Sequence, residues 1–187
     1  MVQTPAKSIT LEEFLKLPET KPASEYIDGQ VVQKPMPQGK HSIVQRDLTN
    51  RVDGTLRPER IASAYPELRC TFGGRSTVPD VAVFTWERIP RDENGEIANT
   101  FQIAPDWTIE ILSPDQSPTR VIKNILHCID HQTQMGWMID PEEKVVFVYF
   151  SDRTVQFFDI SEQLLPVPLF ANKIQLTVGE LFGWLLN

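Results

Sequence analysis

The sequence predicts a mixed α/β (α+β) domain in which one central β-sheet is flanked by helices. Two amphipathic helix patterns, over residues 40–56 and 117–133, alternate with β-rich stretches. The stretch 107–112, the second helix and the stretch 135–140 have the order of a strand–helix–strand crossover, which packs its helix on the sheet. The predicted order is therefore helix, hairpin, helix, strands, helix, strands, helix.

The length and composition fit one domain. The chain has 187 residues, of which 41% are hydrophobic and 23% charged, and it contains no apolar run near the ~18 residues that a membrane span needs. We expect a single domain over residues 1–187, with 1–20 as an N-terminal helix and lead-in and 21–187 as the core. Neither a secretory signal nor a metal-type cysteine spacing is present, so Cys70 and Cys128 are expected to be reduced thiols in a cytoplasmic protein without membrane contact.

Capping and turn signals define the elements of the first third of the chain. Thr10 and Glu13 have the spacing of a capping box, which begins a short helix that Pro18 ends. Asp28-Gly29 is a two-residue turn signal between β-rich arms and predicts a hairpin. Apolar residues at helical spacing then predict a helix over 40–56.

Strands dominate the remainder. β-Rich stretches bounded by turns or polar segments predict strands within residues 61–72, 77–86, 107–112, 135–140, 144–150 and 154–160. The polar stretch 87–105 predicts a loop. Residues 117–133 predict a helix whose apolar stripe packs on the sheet. Thr177 and Glu180 again have capping-box spacing and begin a last helix.

The charge distribution leaves the partner open. A net charge of −7 argues against nucleic acid, because attraction to phosphates supplies most non-specific binding. Residues 34–75 nevertheless hold eight basic residues against four acidic ones, so this segment carries +4 and the remainder −11. A solvated helix face explains the basic residues as well as a polyanionic partner does.

Two acidic residues lie in or beside apolar strands. Glu110 is in the middle of the stretch 107–112, where its carboxylate is costly to desolvate without a positive partner. Asp80 begins the apolar part of the stretch 77–86. If the two strands are neighbours, both side chains project to one place, where their charges repel. A hard divalent cation with oxygen ligands would offset both the desolvation of Glu110 and the repulsion between the two carboxylates. The alternative is a strand-end aspartate and a partly exposed glutamate on an edge strand.

Other patterns point less strongly to chemistry. His127 and His131 lie four residues apart on a helix and could bind a metal, but a pair of surface histidines is the simpler interpretation. The glycines of the stretch 71–76 lack the lysine that a phosphate loop needs and predict a turn. Ser113 lacks the flanking glycines of a nucleophile elbow. The tryptophans are predicted to be core residues: Trp86, Trp107, Trp137 and Trp184.

Five stretches carry a resemblance to a known family: the opening ITLEEFLKLPE, SEYIDGQVVQKPMPQGKH, RSTVPDVAVF, PDWTIEILSPDQS and MGWMIDPEEKVVFVY. In this order, over nearly the whole chain, they resemble the bacterial "putative restriction endonuclease" family of the PD-(D/E)XK nuclease superfamily. The resemblance implies a restriction-endonuclease-like fold and an enzyme that cleaves DNA phosphodiester bonds with Mg²⁺ or Mn²⁺. A nuclease-fold binding module without catalysis is the alternative.

The resemblance also implies roles for particular residues. Asp80 and Glu110 match the two metal carboxylates, and Ile111 matches the residue that lends a backbone carbonyl to the metal. Glu25 matches an acidic position close to the metal. His41 matches a recurring position at the start of the long helix. A homodimer would suit cleavage of both DNA strands, because each chain offers one site.

One position departs from the superfamily pattern. The lysine that usually follows the glutamate by two residues is Leu112 here. In this family the cation is thought to come from the next helix, where Lys123 is the nearest candidate and Asn124 and Arg120 are alternatives. We therefore expect the Lys123 ammonium to lie within about 6 Å, one water-bridged contact, of the Glu110 carboxylate.

Overall fold

The computed structural model describes residues 9–114 and 116–186, and it has the predicted mixed α/β architecture. The helices are α1 (Leu11–Leu15), α2 (Gly39–Leu56), α3 (Pro118–Ile129) and α4 (Val178–Gly183). The strands are β1 (Ser24–Ile27), β2 (Gln30–Gln33), β3 (Ala62–Pro66), β4 (Cys70–Phe72), β5 (Arg75–Thr77), β6 (Val81–Thr85), β7 (Trp107–Ile111), β8 (Met135–Asp140), β9 (Val145–Phe150) and β10 (Val155–Phe158). Within these ranges, no helix is both long enough and apolar enough to cross a membrane.

The local signals read from the sequence are confirmed. Thr10 caps α1 through its side chain, and the Glu13 carboxylate accepts the Thr10 backbone N–H at 2.7 Å, which completes the capping box. Helix α1 ends at Leu15, earlier than the proline that was expected to end it. Asp28 and Gly29 have φ values of 51° and 83°. This left-handed geometry is what a two-residue hairpin turn between β1 and β2 requires.

The strands form the predicted central sheet and, in addition, a smaller second sheet that the sequence did not predict. The larger sheet has the order β10-β9-β8-β7-β6-β3, and the smaller has the order β2-β1-β5-β4. The stretch 61–72 contributes one strand to each sheet, because Glu67 has a φ of 49° and turns the chain between them. The stretch 77–86 is likewise divided at Pro79, which has no N–H to donate to a sheet.

Helix α3 connects the parallel neighbours β7 and β8, as the predicted crossover requires. Glu110 lies opposite Met138 in that pair, and opposite residues project to the same face of a sheet. Met138 packs in one apolar cluster with Val121, Ile125 and Ile129 of α3. Helix α3 therefore covers the sheet face that carries Glu110.

Helix α2 covers the opposite face. Its buried residues Val44 and Leu48 share a cluster with Val81 and Val83 of β6. The alternate residues of β6, such as Ala82, pack instead with residues of the smaller sheet. Each face of β6 is therefore buried.

The prediction of free cysteines is confirmed. The prediction of core tryptophans is confirmed for Trp107 and Trp137, whereas Trp86 and Trp184 are only partly buried. Cys70 and Cys128 are free and buried, and burial raises the pKa of Cys70 to about 12. Trp107 and Trp137 are fully buried and pack edge-to-face at 4.8 Å between ring centroids.

Candidate active site

Asp80 and Glu110 meet where β6 and β7 lie side by side. These strands are antiparallel, and Val81 pairs with Ile109. One residue further along the same register, Asp80 comes opposite Glu110. The two residues are only 1% and 2% exposed. The structure thus brings two buried carboxylates to one place, which creates the charge problem raised by the sequence.

The positive group at this place is Lys34, which directly follows β2. Its Nζ donates to Asp80 Oδ1 at 2.7 Å and to the Val78 carbonyl at 2.7 Å, and it lies 3.4 Å from Glu110 Oε2. The side chain is 12% exposed. A cationic group that meets Glu110 is therefore an amine of the protein itself, whereas the sequence suggested a divalent ion.

None of the residues that the resemblance suggested for that cation forms an ion pair with the two carboxylates within the described ranges. Lys123 is exposed and forms no ion pair with either carboxylate among the residues described. The neighbouring positions Arg120 and Asn124 line a pocket with Glu110. Leu112, at the usual lysine position, is partly buried and packs against the apolar cluster of α3.

The second oxygen of Asp80 is held by two groups. Asp80 Oδ2 accepts the backbone N–H of Ile111 at 2.7 Å and lies 3.1 Å from His41 Nε2. His41 is in the first turn of α2 and is 5% exposed. Its Nδ1 has no hydrogen-bond partner within the described ranges. These contacts fix the orientation of the Asp80 carboxylate.

Glu25 of β1 lies beside this cluster but makes different contacts. Its Oε1 accepts the Val78 backbone N–H at 2.8 Å, and its Oε2 accepts Asn124 Nδ2 at 3.1 Å. Both oxygens are therefore engaged in holding neighbouring parts of the chain. Asn124 Oδ1 is buried and has no partner in the part of the chain described.

The cluster places three carboxyl groups around one ammonium. Burial alone would lower the pKa of Lys34, but the carboxylates of Asp80, Glu110 and Glu25 outweigh it and hold that pKa above its usual value. Burial favours the neutral form of Asp80, yet Lys34 and His41 hold its pKa below its usual value. Burial raises the pKa of Glu110 well above its usual range; Lys34 opposes this rise, and the Asp80 and Glu25 charges reinforce it. The raised pKa of Glu110 indicates that one ammonium does not fully offset burial and the repulsion among these acids.

Open space adjoins the cluster. A groove of about 270 Å³ lies next to His41, between the start of α2 and residues 112–114 and 141–142. Lys40 and Glu142 line it and pair at 2.7 Å. No group of three or more His, Cys, Asp or Glu side chains in the described ranges is arranged as a ready-made metal site.

The two histidines at the end of α3 have a packing role: His127 is in its last turn, and His131 follows its last residue by two. His127 Nε2 lies 3.2 Å from the Phe72 carbonyl, and His131 Nδ1 lies 2.8 Å from the His127 carbonyl. The His127 ring stacks on Phe72 at 4.9 Å between centroids. These contacts explain both histidines without a metal.

The basic excess of residues 34–75 is largely neutralised within the protein. Nearly all of these cations form ion pairs: Lys34, Lys40, Arg46, Arg51, Arg57, Arg69 and Arg75. Arg60 instead lies over the Trp86 ring, 5.9 Å from its centroid. The segment therefore does not form a continuous unpaired basic surface.

The fold and the carboxylate pair define a restriction-endonuclease-like protein, and the comparisons agree. A family model described as "Uma2: Putative restriction endonuclease" matches residues 11–179, so the chain belongs to that family. A crystal structure from Anabaena variabilis ATCC 29413, described as "a putative nuclease belonging to DUF820", is 63% identical in sequence. That match covers 95% of this chain and 99% of the other, with a TM-score of 0.94. No curated protein matches the chain.

Proposed function

We propose that the protein is a metal-dependent endonuclease that hydrolyses phosphodiester bonds of DNA. The observation that carries this proposal is the buried pair of Asp80 and Glu110, opposite each other in the register of β6 and β7. His41, which contacts Asp80, lines an open groove. Membership of a family described as restriction endonucleases supports the reaction class. DNA is the proposed substrate for the same reason.

The donor set fits a divalent cation. Asp80 and Glu110 offer carboxylate oxygens, which Mg²⁺ and Mn²⁺ prefer, and the Lys34 ammonium already stands in a cation position between them. We propose that Asp80 and Glu110 hold the metal, with the Ile111 carbonyl as a further ligand. When bound, such a metal lowers the pKa of a coordinated water and offsets the charge of the scissile phosphate.

The surrounding residues position these groups. The His41 ring and the Ile111 N–H hold one Asp80 oxygen, which leaves the other free to face a cation. Lys34 supplies positive charge that can stabilise the developing negative charge of the phosphate. We assign Glu25 a positioning role, because both of its oxygens already accept hydrogen bonds from Val78 and Asn124.

A plasmid-nicking assay tests the proposal. Supercoiled DNA is incubated with Mg²⁺ or Mn²⁺ and the parent protein, Asp80→Ala or Glu110→Ala, with Asp152→Ala as an exposed acidic control. We expect the two site variants to lose activity by about 100-fold or more. The control should match the parent. Equal nicking by site variants and parent would remove the assignment of these residues.

We also propose that the protein acts as a two-fold homodimer in the cytoplasm. Cleavage of both DNA strands is easiest for a pair of sites, one in each chain, and closed two-fold dimers are the commonest oligomers. Strand β10 lies at an edge of the larger sheet, and Val155 and Phe157 on it are 52% and 61% exposed. Free thiols at Cys70 and Cys128 suit a reducing compartment. Light scattering at micromolar protein is the test, and a purely monomeric mass would end the dimer proposal.

A nuclease-fold binding module without catalysis is the second candidate. It is favoured by Lys34, which already fills the cation position, and by Leu112 at the usual lysine position. Calorimetry with Mn²⁺ separates the two candidates. A folded protein that binds DNA but takes up no metal would favour the binding module.

A further inference from the structure

The place between Asp80 and Glu110 is too small for two cations. The Lys34 Nζ is 2.7 Å from Asp80 Oδ1 and 3.4 Å from Glu110 Oε2. A divalent ion on the same oxygens would lie about 2.0–2.6 Å from them. An ion there would therefore overlap the ammonium or repel it at close range.

A second place for the ammonium exists next to the first. A pocket of about 20 Å³, enough for one water-sized group, is lined by Lys34, Glu110, Glu25 and Asn124. Asn124 is 5% exposed, and its Oδ1 has no hydrogen-bond partner among the residues described. Its Nδ2 donates to Glu25, so the atom of the amide without a partner is the oxygen. The unused group is therefore an acceptor, and an ammonium is a donor.

From this geometry we infer that Lys34 is a two-position counter-ion, which bridges Asp80 and Glu110 without metal and moves towards Asn124 Oδ1 when a divalent cation binds. The inference rests on the proposed metal binding at Asp80 and Glu110. The backbone of Lys34 stays in place, since its N–H donates to the Ala23 carbonyl at 2.8 Å. Only the flexible four-carbon stem has to change.

This arrangement makes metal affinity depend on Lys34 and Asn124 together. The ammonium competes with the metal for the same carboxylates, so Lys34 weakens metal binding. Asn124 receives the displaced ammonium, so it strengthens metal binding. The Asn124 contribution should vanish when Lys34 is absent, because no ammonium then needs the acceptor.

Mn²⁺ affinity, measured by calorimetry on the full chain, tests the inference without reference to DNA cleavage. Lys34→Met and Lys34→Gln should bind Mn²⁺ at least about tenfold more tightly than the parent. The glutamine variant keeps a neutral hydrogen-bond donor for Asp80. It therefore keeps the test valid if the methionine variant does not fold. Lys173→Met is the matched control, because Lys173 pairs with exposed Glu59 and should leave the affinity unchanged.

The double variant gives the sharpest outcome. Asn124→Leu should weaken Mn²⁺ binding about tenfold in the parent and less than about twofold in Lys34→Gln. Unchanged or weaker affinity in both Lys34 variants overturns the inference and leaves the proposed nuclease standing. Metal binding by neither parent nor Lys34 variants overturns the inference and the metal part of the proposed function together.

Discussion

Glu25 of β1 and Asn124 of α3 are 99 residues apart in sequence and joined by a hydrogen bond of 3.1 Å. The other oxygen of Glu25 accepts the Val78 N–H, two residues before Asp80. One buried carboxylate thus ties the hairpin, the segment between β5 and β6, and helix α3 together. The residue that resemblance places near the metal is therefore also a structural anchor.

Glu25→Gln should lower the free energy of unfolding by about 1–3 kcal/mol. Glutamine has one acceptor oxygen, so either the Val78 N–H or the Asn124 amide is left without a partner in a buried place. Urea denaturation measures the loss. Adding Asn124→Asp to Glu25→Gln reverses donor and acceptor and should recover at least half of it. Strictly additive losses would show that the two side chains are not coupled.

Glu110→Gln should become more stable than the parent as the pH rises in EDTA. The folded-state pKa of Glu110 is raised above its ordinary value of 4.5. Its contribution to stability is therefore full below about pH 4.5 and is lost as the pH rises towards the folded-state pKa. Each unit of pKa shift corresponds to about 1.4 kcal/mol. Urea midpoints between pH 4 and 8 measure the difference, and a constant difference would contradict this reading of the cluster.

Asp80→Asn is the control with the opposite sign. The pKa of Asp80 is held below its ordinary value of 3.8, so its contribution to stability is present above that pH and lost as the pH falls. The asparagine variant should therefore lose most stability near neutral pH and least in acid.

Lys123→Met should leave both Mn²⁺ affinity and plasmid cleavage within about twofold of the parent. Lys123 is exposed on α3 and forms no ion pair with Asp80 or Glu110 in the described part of the chain. Calorimetry and the nicking assay measure the two effects. A loss comparable to that of Asp80→Ala would return Lys123 to the site.

The sequence predicts what local geometry determines. The Asp28-Gly29 turn, the Thr10 capping box and the alternation of side chains on β6 and β7 follow from neighbours in the chain. Lys34 could not be found in this way, because its partners Asp80 and Glu110 are 46 and 76 residues away. Only the packing of the small sheet against the large one brings them together. The second sheet was missed for a related reason, since a single left-handed residue, Glu67, redirects a continuous β-rich stretch.

Lys40→Glu should weaken DNA binding about tenfold at low salt, because Lys40 lines the groove beside the site. The dependence of log K on log salt should become shallower by about one unit if Lys40 contacts one phosphate. Glu142→Gln is the paired test, since it removes the anion that neutralises Lys40 and should strengthen binding. Fluorescence anisotropy at several salt concentrations measures both. Unchanged binding and an unchanged salt dependence in both variants would place the DNA away from this groove.

Moving the lysine to its usual superfamily position is the most demanding test of the proposed chemistry. Lys34→Met should reduce plasmid cleavage by about 100-fold, because it removes the positive charge beside the carboxylates. Adding Leu112→Lys to Lys34→Met should raise plasmid cleavage at least about tenfold above that of Lys34→Met alone. Residue 112 follows Glu110 by two and packs against α3, where a lysine stem can cover apolar surface while its ammonium reaches the carboxylate.

Leu112→Met in the Lys34→Met background separates charge from packing. Methionine fills the same space without an ammonium, so cleavage should stay at the level of Lys34→Met alone. Mn²⁺ affinity should fall when Leu112→Lys is added, since a positive charge returns to the carboxylates, and it should not change with methionine. Equal recovery of cleavage by lysine and methionine would show that packing at residue 112, and not a positive charge near Glu110, limits the reaction.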